Sequence, residues 1–425
     1  MTTREQALDI AHRWINGELP QEGARAVRSH EFELGWVVWP EPAAVQVDPL
    51  TGGRRAPEEI GAASAVVDRA TGELSVWPSA PVAEIVRLYR DKLGAGRYDP
   101  ALPPVTGPGA QVLFGYLDGA GEPQTLTLRS EPGRPHPALR GWWQLQQQGV
   151  KAEQVQSVHT DLRLPMLPGN YTAADLAAEL PEARLSHGLL YGPRFDQRAE
   201  AVRQVKADPR PNRVPFPLAV PPAQPEGEQQ LAARLAALFG AEGLRRFGPA
   251  EVLAADLPEG AAGVLTRVGL PVEVPRFFAV HHPLADGIAD GSKVGPVLPE
   301  ATAHLAEGGG GGRATQAAWS ALLGHHVIGT DGWAQLTVDA AAGRLHAVDP
   351  QDATARYVNA DLTAFVRCLA LFAERLPRLA GLHPYAAGPA VAELQWGLAG
   401  LDRTVFADPE NWWAVIVEQL WDGLL

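Results

Sequence analysis

A catalytic site needs particular residue types at particular spacings, so the histidines and the cysteine of this chain are the first candidates for chemistry. The chain has 12 histidines and one cysteine in 425 residues. Its sequence contains no serine elbow (G-x-S-x-G), no metalloprotease motif (H-E-x-x-H), no phosphate-binding G-x-x-x-x-G-K and no dinucleotide fingerprint after a strand. The single Cys368 excludes an internal disulfide and an all-thiolate zinc site, and its apolar surroundings predict a buried, inert thiol.

Two pairs of adjacent histidines, His281-His282 and His325-His326, are the next candidates for metal binding. Neighbouring residues on a strand point to opposite faces, so such a pair seldom binds one ion. We therefore expect these histidines to be surface or core residues. The glycine tract Gly308–Gly312 lacks the preceding strand and the Lys-Ser/Thr pair of a phosphate-binding loop, and we predict a flexible loop there.

The composition is that of a globular protein, with 46% hydrophobic and 20% charged residues. A net charge of −13 argues against nucleic acid as a direct partner, because phosphate binding requires a basic face. An acidic surface would suit a basic partner such as a nuclease or deaminase toxin; moderate acidity also simply keeps soluble proteins apart. Met1–Asp9 lacks the basic and apolar regions of a secretory signal, and no apolar stretch reaches 18 residues. These features predict a cytoplasmic protein without a membrane partner.

Two segments rich in proline and glycine divide the chain. Asp99–Gly109 cannot hold a helix or a central strand. Asp208–Glu226 contains seven prolines and is predicted to be an extended spacer. The resulting prediction is three domains and one linker: residues 1–98, 107–207, the linker 208–227, and 228–425.

Hydrophobic spacing predicts the elements that these domains contain. Thr3 and Gln6 form the polar pair of a capping box ahead of apolar residues at helical spacing. Gly72, which is free to take positive φ, and Gly343 each close a D-x-x-x-G turn between two apolar runs, which predicts antiparallel hairpins. The first domain is therefore a small α+β domain, and alternating strands and helices predict an α/β sandwich in the second. Other predicted elements are strands at 33–39, 112–117, 124–128 and 155–162, and helices at 82–89, 137–145, 173–180, 229–239, 361–378 and 411–424.

One pattern in the second domain bears directly on chemistry. Its segments are His136-Pro-Ala138, Leu145-Gln-Gln-Gln-Gly-Val150, the run Thr160–Thr172 with Leu167-Pro-Gly169 inside it, and Ser186-His-Gly-Leu-Leu-Tyr-Gly192. With them, residues 109–203 resemble the nucleic-acid/nucleotide deaminases of bacterial polymorphic toxin systems, the YwqJ-like group. A deaminase of this kind binds zinc through a histidine and two thiolates, and the glutamate of H-x-E shuttles protons for the zinc-bound water.

The resemblance assigns the catalytic positions to residues that cannot perform these roles. It places Ala138 at the glutamate position, and Pro165 and Thr172 at the two cysteine positions, while His136 remains. Asp161 follows Thr160 in the segment that leads into the first cysteine position. We refer to His136, Ala138, Asp161, Pro165 and Thr172 as the candidate pocket. One histidine cannot hold zinc, so we expect no bound metal, no cofactor and no catalysis.

The flanking domains resemble immunity proteins. Residues 228–425 are similar to SUKH-type (SUKH-4-like) immunity proteins through Val268-Gly-Leu-Pro271, Ile328-Gly-Thr-Asp331 and Tyr357-Val-Asn359. The N-terminal domain resembles the YrhB-type immunity domain through Trp14-Ile15 and Gly35-Trp-Val-Val-Trp39. Both resemblances imply α+β domains that neutralise toxins by direct binding, so the whole chain is predicted to be a multi-domain α+β protein.

Three functions are compatible with these patterns. The leading hypothesis is a non-catalytic immunity protein that binds protein toxin effectors. The second is an intracellular scaffold or regulatory interaction protein that uses immunity-like folds for other contacts. The third is a zinc-dependent deaminase with unconventional ligands. The immunity and scaffold hypotheses rest on resemblance of fold, which does not by itself establish function.

Overall fold

The structure is a computed structural model that describes most of the chain. Its contacts divide it into two compact units, Met1–Arg97 and Tyr98–Leu425. The described residues are 2–17, 24–32, 34–41, 46–47, 54–55, 64–69, 72–77, 80–92, 99–205, 210–216, 220–281, 296–308 and 311–425. Parts of several predictions lie outside these residues, namely Glu33, residues 70–71, 208–209, 217–219, His282 and residues 309–310.

In the first unit, helix α1 (Arg4–Asn16) begins at the capping box that the sequence predicts. Thr3 Oγ1 accepts a hydrogen bond from the Gln6 amide at 3.2 Å, and Gln6 Oε1 accepts one from the Thr3 amide at 2.9 Å. These two bonds satisfy amides that a helix start otherwise leaves unpaired. Ala7 and Ala11 are fully buried on the face of α1 that packs on the sheet.

The first unit builds an antiparallel sheet in the order β1-β2-β5-β6. Trp36 and Val38 pack against α1 on one side, while Val37 packs against the second helix on the other. The apolar run of β2 therefore reflects a sheet that is covered on both faces. Gly72 has a φ of 74°, and the hairpin predicted around it is confirmed. The remaining elements are β1 (Val27–Phe32), β2 (Gly35–Pro40), β3 (Gln46–Val47), β4 (Arg54–Arg55), β5 (Ser64–Asp68), β6 (Leu74–Trp77) and α2 (Val82–Lys92).

The second unit begins with residues 99–205, which we call the middle part. Its sheet has the order β10-β9-β7-β8, with β10 parallel to β9 and the other pairs antiparallel. Helices α3 and α4 pack against each other beside this sheet. The elements are β7 (Gln111–Leu117), β8 (Pro123–Arg129), α3 (Pro137–Gln147), β9 (Val155–Leu162), α4 (Thr172–Glu179), β10 (Arg184–Leu189) and α5 (Phe195–Gln204).

Residues 220–425, which we call the C-terminal part, form a six-stranded antiparallel sheet, β13 to β18 in sequence order, packed with helices. Gly343 has a φ of 70° in the predicted hairpin, and Cys368 is fully buried, so both predictions are confirmed. The elements are α6 (Glu228–Phe239), β11 (Leu244–Arg245), α7 (Pro249–Leu253), α8 (Glu259–Gly263), β12 (Leu270–Pro271), β13 (Glu273–Val274), β14 (Phe278–Val280), α9 (Ala301–Glu307), α10 (Gln316–Ala321), β15 (His325–Thr330), β16 (Gln335–Asp339), β17 (Leu345–Val348), β18 (Ala355–Asn359), α11 (Leu362–Leu379), α12 (Pro384–Leu401) and α13 (Trp412–Asp422).

Helix α13 lies between the two parts of the second unit. Every residue from 411 to 425 is buried. Trp413, Ile416 and Leu420, within the helix predicted at 411–424, pack into the core of the C-terminal part. Val415, on another face, packs against middle-part residues that include Leu167. The two parts therefore share one buried helix, which explains why α13 has almost no polar face.

The two proline-rich segments lie against this unit. Val105 and Asn212 pair through an isolated bridge, so the segments contact each other. The Gly107 amide donates to the Trp421 carbonyl at 2.8 Å, and the Gly109 amide donates to the Asp422 carbonyl at 2.7 Å. These carbonyls lie at the end of α13, where a helix has no partners of its own. Proline prevents regular structure in these segments, but Val105, Thr106, Asn212 and Val214 within them are buried.

Candidate functional site

His136 is the residue of the candidate pocket with the clearest capacity for chemistry. It precedes α3, and its Nδ1 accepts a hydrogen bond from the Ala138 amide at 3.2 Å. Only 1% of the residue is exposed. Burial, together with the smaller effect of the charges of Arg140 and Arg276, lowers the pKa of His136 to about 3. The ring is therefore neutral at physiological pH, with its proton on Nε2.

Ala138 lies in the first turn of α3 and is fully buried. Its methyl group belongs to an apolar cluster with Trp142 of the same helix and Leu176 of α4. A carboxylate at this position would lose its hydration without gaining a charged partner from that cluster. The position that the resemblance assigns to the glutamate is thus part of the hydrophobic core.

Pro165 and Thr172 stand at the two ends of one loop, and both are buried. The Pro165 carbonyl accepts a hydrogen bond from the Ala173 amide at 3.1 Å, which closes the loop at the start of α4. Thr172 Oγ1 donates to Asn170 Oδ1 at 2.7 Å. Because α3 packs against α4, the structure places Thr172 and His136 at the starts of two neighbouring helices.

Asp161 differs from the other four residues of the candidate pocket. It lies on β9 with an exposed side chain, whereas His136 and Ala138 are buried. Its Oδ2 accepts a hydrogen bond from the Gln111 amide at 3.2 Å, on the neighbouring strand β7. The contacts of Asp161 thus stabilise the sheet rather than the helix starts.

Residues of the C-terminal part cover this region. A Cβ placed on Gly169 would lie 2.3 Å from Phe277 Cε1, so the loop between Pro165 and Thr172 touches that ring directly. Arg276, the preceding residue, has a φ of 70° and lies close enough to His136 for its charge to affect the ring. Among the described residues, neither Arg276 Nη1 nor His136 Nε2 has a hydrogen-bond partner, although both atoms are buried.

The side chains present do not fit the zinc ion that a deaminase requires. Zinc in such a site takes a histidine and two thiolates. Here the histidine nitrogen Nδ1 is occupied by a backbone amide, and the positively charged Arg276 is nearby. In the described part of the chain, no group of three or more His, Cys, Asp or Glu side chains is arranged to hold a metal.

The middle of the same loop makes a different set of contacts. Gln419 Nε2 of α13 donates to the Pro168 carbonyl at 3.0 Å, and Asn170 Nδ2 donates to the Leu424 carbonyl at 3.3 Å. Tyr191 donates its hydroxyl hydrogen to Asp422 Oδ2 at 2.9 Å. We call Pro168, Asn170, Tyr191 and Arg198 the α13-binding surface.

Arg198 completes this surface with a buried charge. Its side chain is fully buried, and its Nε donates to Glu418 Oε2 at 2.8 Å. A second buried pair joins Arg213 Nη1 to Asp422 Oδ1 at 2.9 Å. Burial raises the pKa of Glu418 to about 7, against the opposing effect of Arg198. Sequence reasoning missed these ion pairs, since Arg198 and Glu418 are 220 positions apart and neither stands in a recognisable motif.

Asp331 connects the parts at a second point. Its Oδ1 accepts from the Ala334 amide at 2.8 Å and so closes the turn between β15 and β16. Its Oδ2 accepts from the Tyr171 hydroxyl and from Trp412 Nε1, each at 2.8 Å. Burial raises the pKa of Asp331, while these hydrogen bonds favour its charged form. Asp331 ends the Ile328-Gly-Thr-Asp331 motif, which therefore has a structural role here.

The adjacent histidines have separate environments. His325 Nδ1 lies 3.1 Å from Thr337 Oγ1, and His326 Nδ1 lies 3.1 Å from the Leu298 carbonyl oxygen. Burial lowers the pKa of His325. These contacts hold the two rings within the fold of the C-terminal part.

Comparison with protein families gives this geometry a context. Residues 230–419 match the SUKH-4 immunity protein family. Residues 5–97 match the Immunity protein 35-like domain, and residues 107–208 match the Xanthomonas-like deaminase family. No curated protein and no solved structure matches the chain.

These matches confirm the predicted layout of two immunity domains on either side of a deaminase-like domain. The predicted multi-domain α+β class is also confirmed, since helices accompany several separate sheets. No helix in the described ranges is both long and apolar enough to cross a membrane.

Proposed function

We propose that this chain is a non-catalytic immunity protein that binds toxin effectors of a bacterial polymorphic toxin system and so neutralises them. The observation that carries the proposal is the match of both flanking segments to immunity families. Immunity domains imply a toxin protein as binding partner, so the proposed function requires binding and no catalysis.

The residues of the candidate pocket support the absence of catalysis. Deamination needs a metal-activated water and a carboxylate that moves protons. At the assigned positions Ala138 offers a buried methyl group, and Thr172 bonds to Asn170. The Phe277 ring packs directly on Gly169, in the loop between Pro165 and Thr172. We infer that the five-residue pocket is vestigial and that the deaminase-like domain serves as support for the C-terminal part.

The contacts of α13 give that support a physical basis. The α13-binding surface holds the helix through Asn170 and Tyr191, and through the buried pair of Arg198 with Glu418. Removing the middle part would expose this helix and unpair those charges. The division into domains at 1–98, 107–207 and 228–425, with the segment 208–227 between the last two, is part of the proposal.

The charge of the chain supports a basic partner. A net charge of −13 favours association with cationic nuclease or deaminase toxins, because opposite charge accelerates encounter. The proposed site of action is the cytoplasm of the producing cell, where such toxins would otherwise act.

Co-expression with toxin domains encoded by neighbouring genes tests the proposal. We expect the full chain to restore growth and to co-purify with one of these toxins, and the complex to weaken as salt rises. A toxin variant without catalytic activity serves as control, because it should bind equally well without affecting growth. Failure to rescue growth or form a complex with any of these toxins would contradict the immunity role and favour the scaffold hypothesis.

A further inference from the structure

Exposed apolar residues lie around the hairpin between β16 and β17 in the C-terminal part. Ala341 and Ala342, at the turn of this hairpin, are exposed. Leu323, in the segment before β15, is 66% exposed, and Leu253, at the end of α7, is 79% exposed. A single exposed leucine is ordinary on a protein surface, whereas adjoining apolar residues mark an interaction surface. The contacts between the three segments decide between these two cases.

A backbone hydrogen bond joins the segment of Leu323 to the hairpin. The Ala340 amide donates to the Gly324 carbonyl at 2.9 Å, which extends the pairing of β15 with β16 by one residue pair. The turn of the hairpin is held by Asp339, whose Oδ1 accepts a hydrogen bond from the Ala341 amide at 2.9 Å. These bonds fix the exposed alanines beside Leu323, so that little ordering opposes the binding of a partner there.

A van der Waals contact joins the hairpin to the segment after α7. A Cβ placed on Gly343 would lie 3.5 Å from Pro258 Cγ. Leu253 is one tight turn away from this contact, since the Asp256 amide donates to the Leu253 carbonyl at 3.2 Å. The exposed apolar residues therefore belong to adjoining segments. We call residues 253–259, 321–324 and 340–343, together with Asp339, the tip surface.

The tip surface carries negative charge that no internal cation pairs with. Asp256 and Glu259 are exposed, and Asp339 is partly exposed. Within the described ranges, none of these three carboxylates forms an ion pair. The exposed Arg344 follows the hairpin, but carboxylates predominate around the turn. The acidic excess of the whole chain also lies mainly in residues 208–425. The charge therefore favours a cationic protein partner at this surface.

We propose that a cationic toxin domain docks on the tip surface. Its apolar residues cover Leu253 and Leu323, and its Lys or Arg side chains pair with the three carboxylates. The apolar contact excludes water at the centre, while the charges steer the encounter and set the orientation. A second copy of this chain does not fit, because two tip surfaces would bring like charges together. This inference rests on the proposed immunity function and adds the surface that performs it.

The affinity of surface variants of the full chain tests the docking site. The probe is a catalytically inactive form of a neighbouring toxin domain that co-purifies with the chain. We expect Leu323→Arg to weaken binding at least about 10-fold, because it removes an apolar contact and adds a repulsive cation. Leu102→Arg, at a position that is 57% exposed and outside the tip surface, should retain the wild-type affinity. Both positions are exposed, so the melting temperatures should stay near that of the wild-type chain.

A double variant, Asp256→Asn with Glu259→Gln, tests the contribution of charge. We expect the association rate to fall by about 3-fold to 10-fold at low salt, because fewer carboxylates attract the toxin. The dependence of this rate on salt should become weaker than in the wild-type chain. An unchanged rate and salt dependence would contradict the charge pairing.

Hydrogen exchange of the unmodified chain locates the toxin without any variant. With the inactive toxin bound, backbone amides in 321–324 and 340–343 should exchange more slowly than in the free chain. Toxin binding without this protection, or equal binding by Leu323→Arg, would overturn the docking site and leave the proposed immunity function standing. Absence of binding by every neighbouring toxin would contradict both. A wild-type dimer that Leu323→Arg dissociates would show that a second copy occupies the surface, and would also overturn the proposal.

Discussion

The ends and the middle of the loop between Pro165 and Thr172 differ in the sequence distance of their hydrogen-bond partners. At the ends, Pro165 and Thr172 make only short-range bonds, to Ala173 and Asn170. In the middle, Pro168 and Asn170 bond to groups more than 250 positions away, at α13 and the residues after it. At the two positions assigned to metal ligands, the loop therefore bonds to nearby residues of the middle part. At the positions between these two, it bonds to α13 and the residues after it.

This difference indicates what the deaminase-like fold contributes to the present molecule. The positions that the resemblance assigns to the chemistry hold an alanine, a proline and a threonine, while Pro168, Asn170, Tyr191 and Arg198 hold groups that bind α13 and the residues after it. Fold and chemistry are separable, because a scaffold is maintained by its packing and a site by a few side chains. The predictions below test the two regions against each other.

Arg198→Met should cause the largest loss of stability. It leaves Glu418 buried beside Asp422 without its cation, at a cost of about 3–5 kcal/mol in the free energy of unfolding. The pKa of Glu418 is already raised to about 7 in the folded chain. Glu418 therefore makes its full contribution to the free energy of unfolding below about pH 4.5, and this contribution is lost as pH rises through 7. Urea unfolding should therefore show a larger loss at pH 8 than at pH 5.5. Arg203→Met in the same helix, whose side chain is partly exposed, should have little effect at either pH.

Gly169→Ala should rank second. Its Cβ would overlap the Phe277 ring, and φ at this position is 73°. We expect a loss of about 2–4 kcal/mol in the free energy of unfolding, from strain and steric overlap together. Gly149→Ala is a matched control, since φ there is 83° and nothing lies within 4 Å of the added atom. If both variants lost the same amount, the proposed close contact with Phe277 would be wrong.

His136→Asn should have a smaller effect, visible mainly in the pH dependence. The pKa of His136 is lowered to about 3 in the folded chain. The contribution of the neutral ring to the free energy of unfolding is therefore present above pH 6.5 and is lost as pH falls towards 3. In the wild-type chain the free energy of unfolding should fall by up to about 1.4 kcal/mol per pH unit as His136 resists protonation, and this slope should disappear in the variant. The asparagine amide oxygen can still accept the hydrogen bond from the Ala138 amide. Denaturant unfolding between pH 7 and pH 4 measures this slope. An unchanged slope would show that the histidine is charged or solvated in the folded state; His187→Asn, at an exposed position, should leave it unaltered.

Asp161→Asn should have the smallest effect. The side chain is exposed, and an amide oxygen can still accept from Gln111. We expect the melting temperature to change by less than about 1 °C. A large change would place Asp161 with the buried residues of the candidate pocket after all.

Local pattern was sufficient to predict many elements but not their burial. Strand β9 has the predicted bounds, and the capping box of α1 is present, because both depend on neighbouring residues. Strand β10 was not predicted, since five of its six residues are exposed and buried residues do not alternate with exposed ones along it. Helix α12 was also missed, because glycines and prolines interrupt its apolar pattern.

The candidate site could be predicted only as a set of positions. The resemblance to deaminases assigns His136 and Thr172 to the positions of metal ligands, and the structure places both at helix starts. The sequence could not indicate that the charge of Arg276 acts on His136, because this effect depends on the packing of the middle part against the C-terminal part. The burial of Arg198 escaped prediction for the same reason.

Zinc analysis of the purified full chain tests most directly whether the deaminase-like domain has become a structural support. The chain should be purified without chelators from cells supplied with zinc, and assayed with cytosine- and adenine-containing substrates. Our account predicts zinc far below one ion per chain and no deamination. One tightly bound zinc per chain, together with a deaminase activity that His136→Asn abolishes, would contradict it.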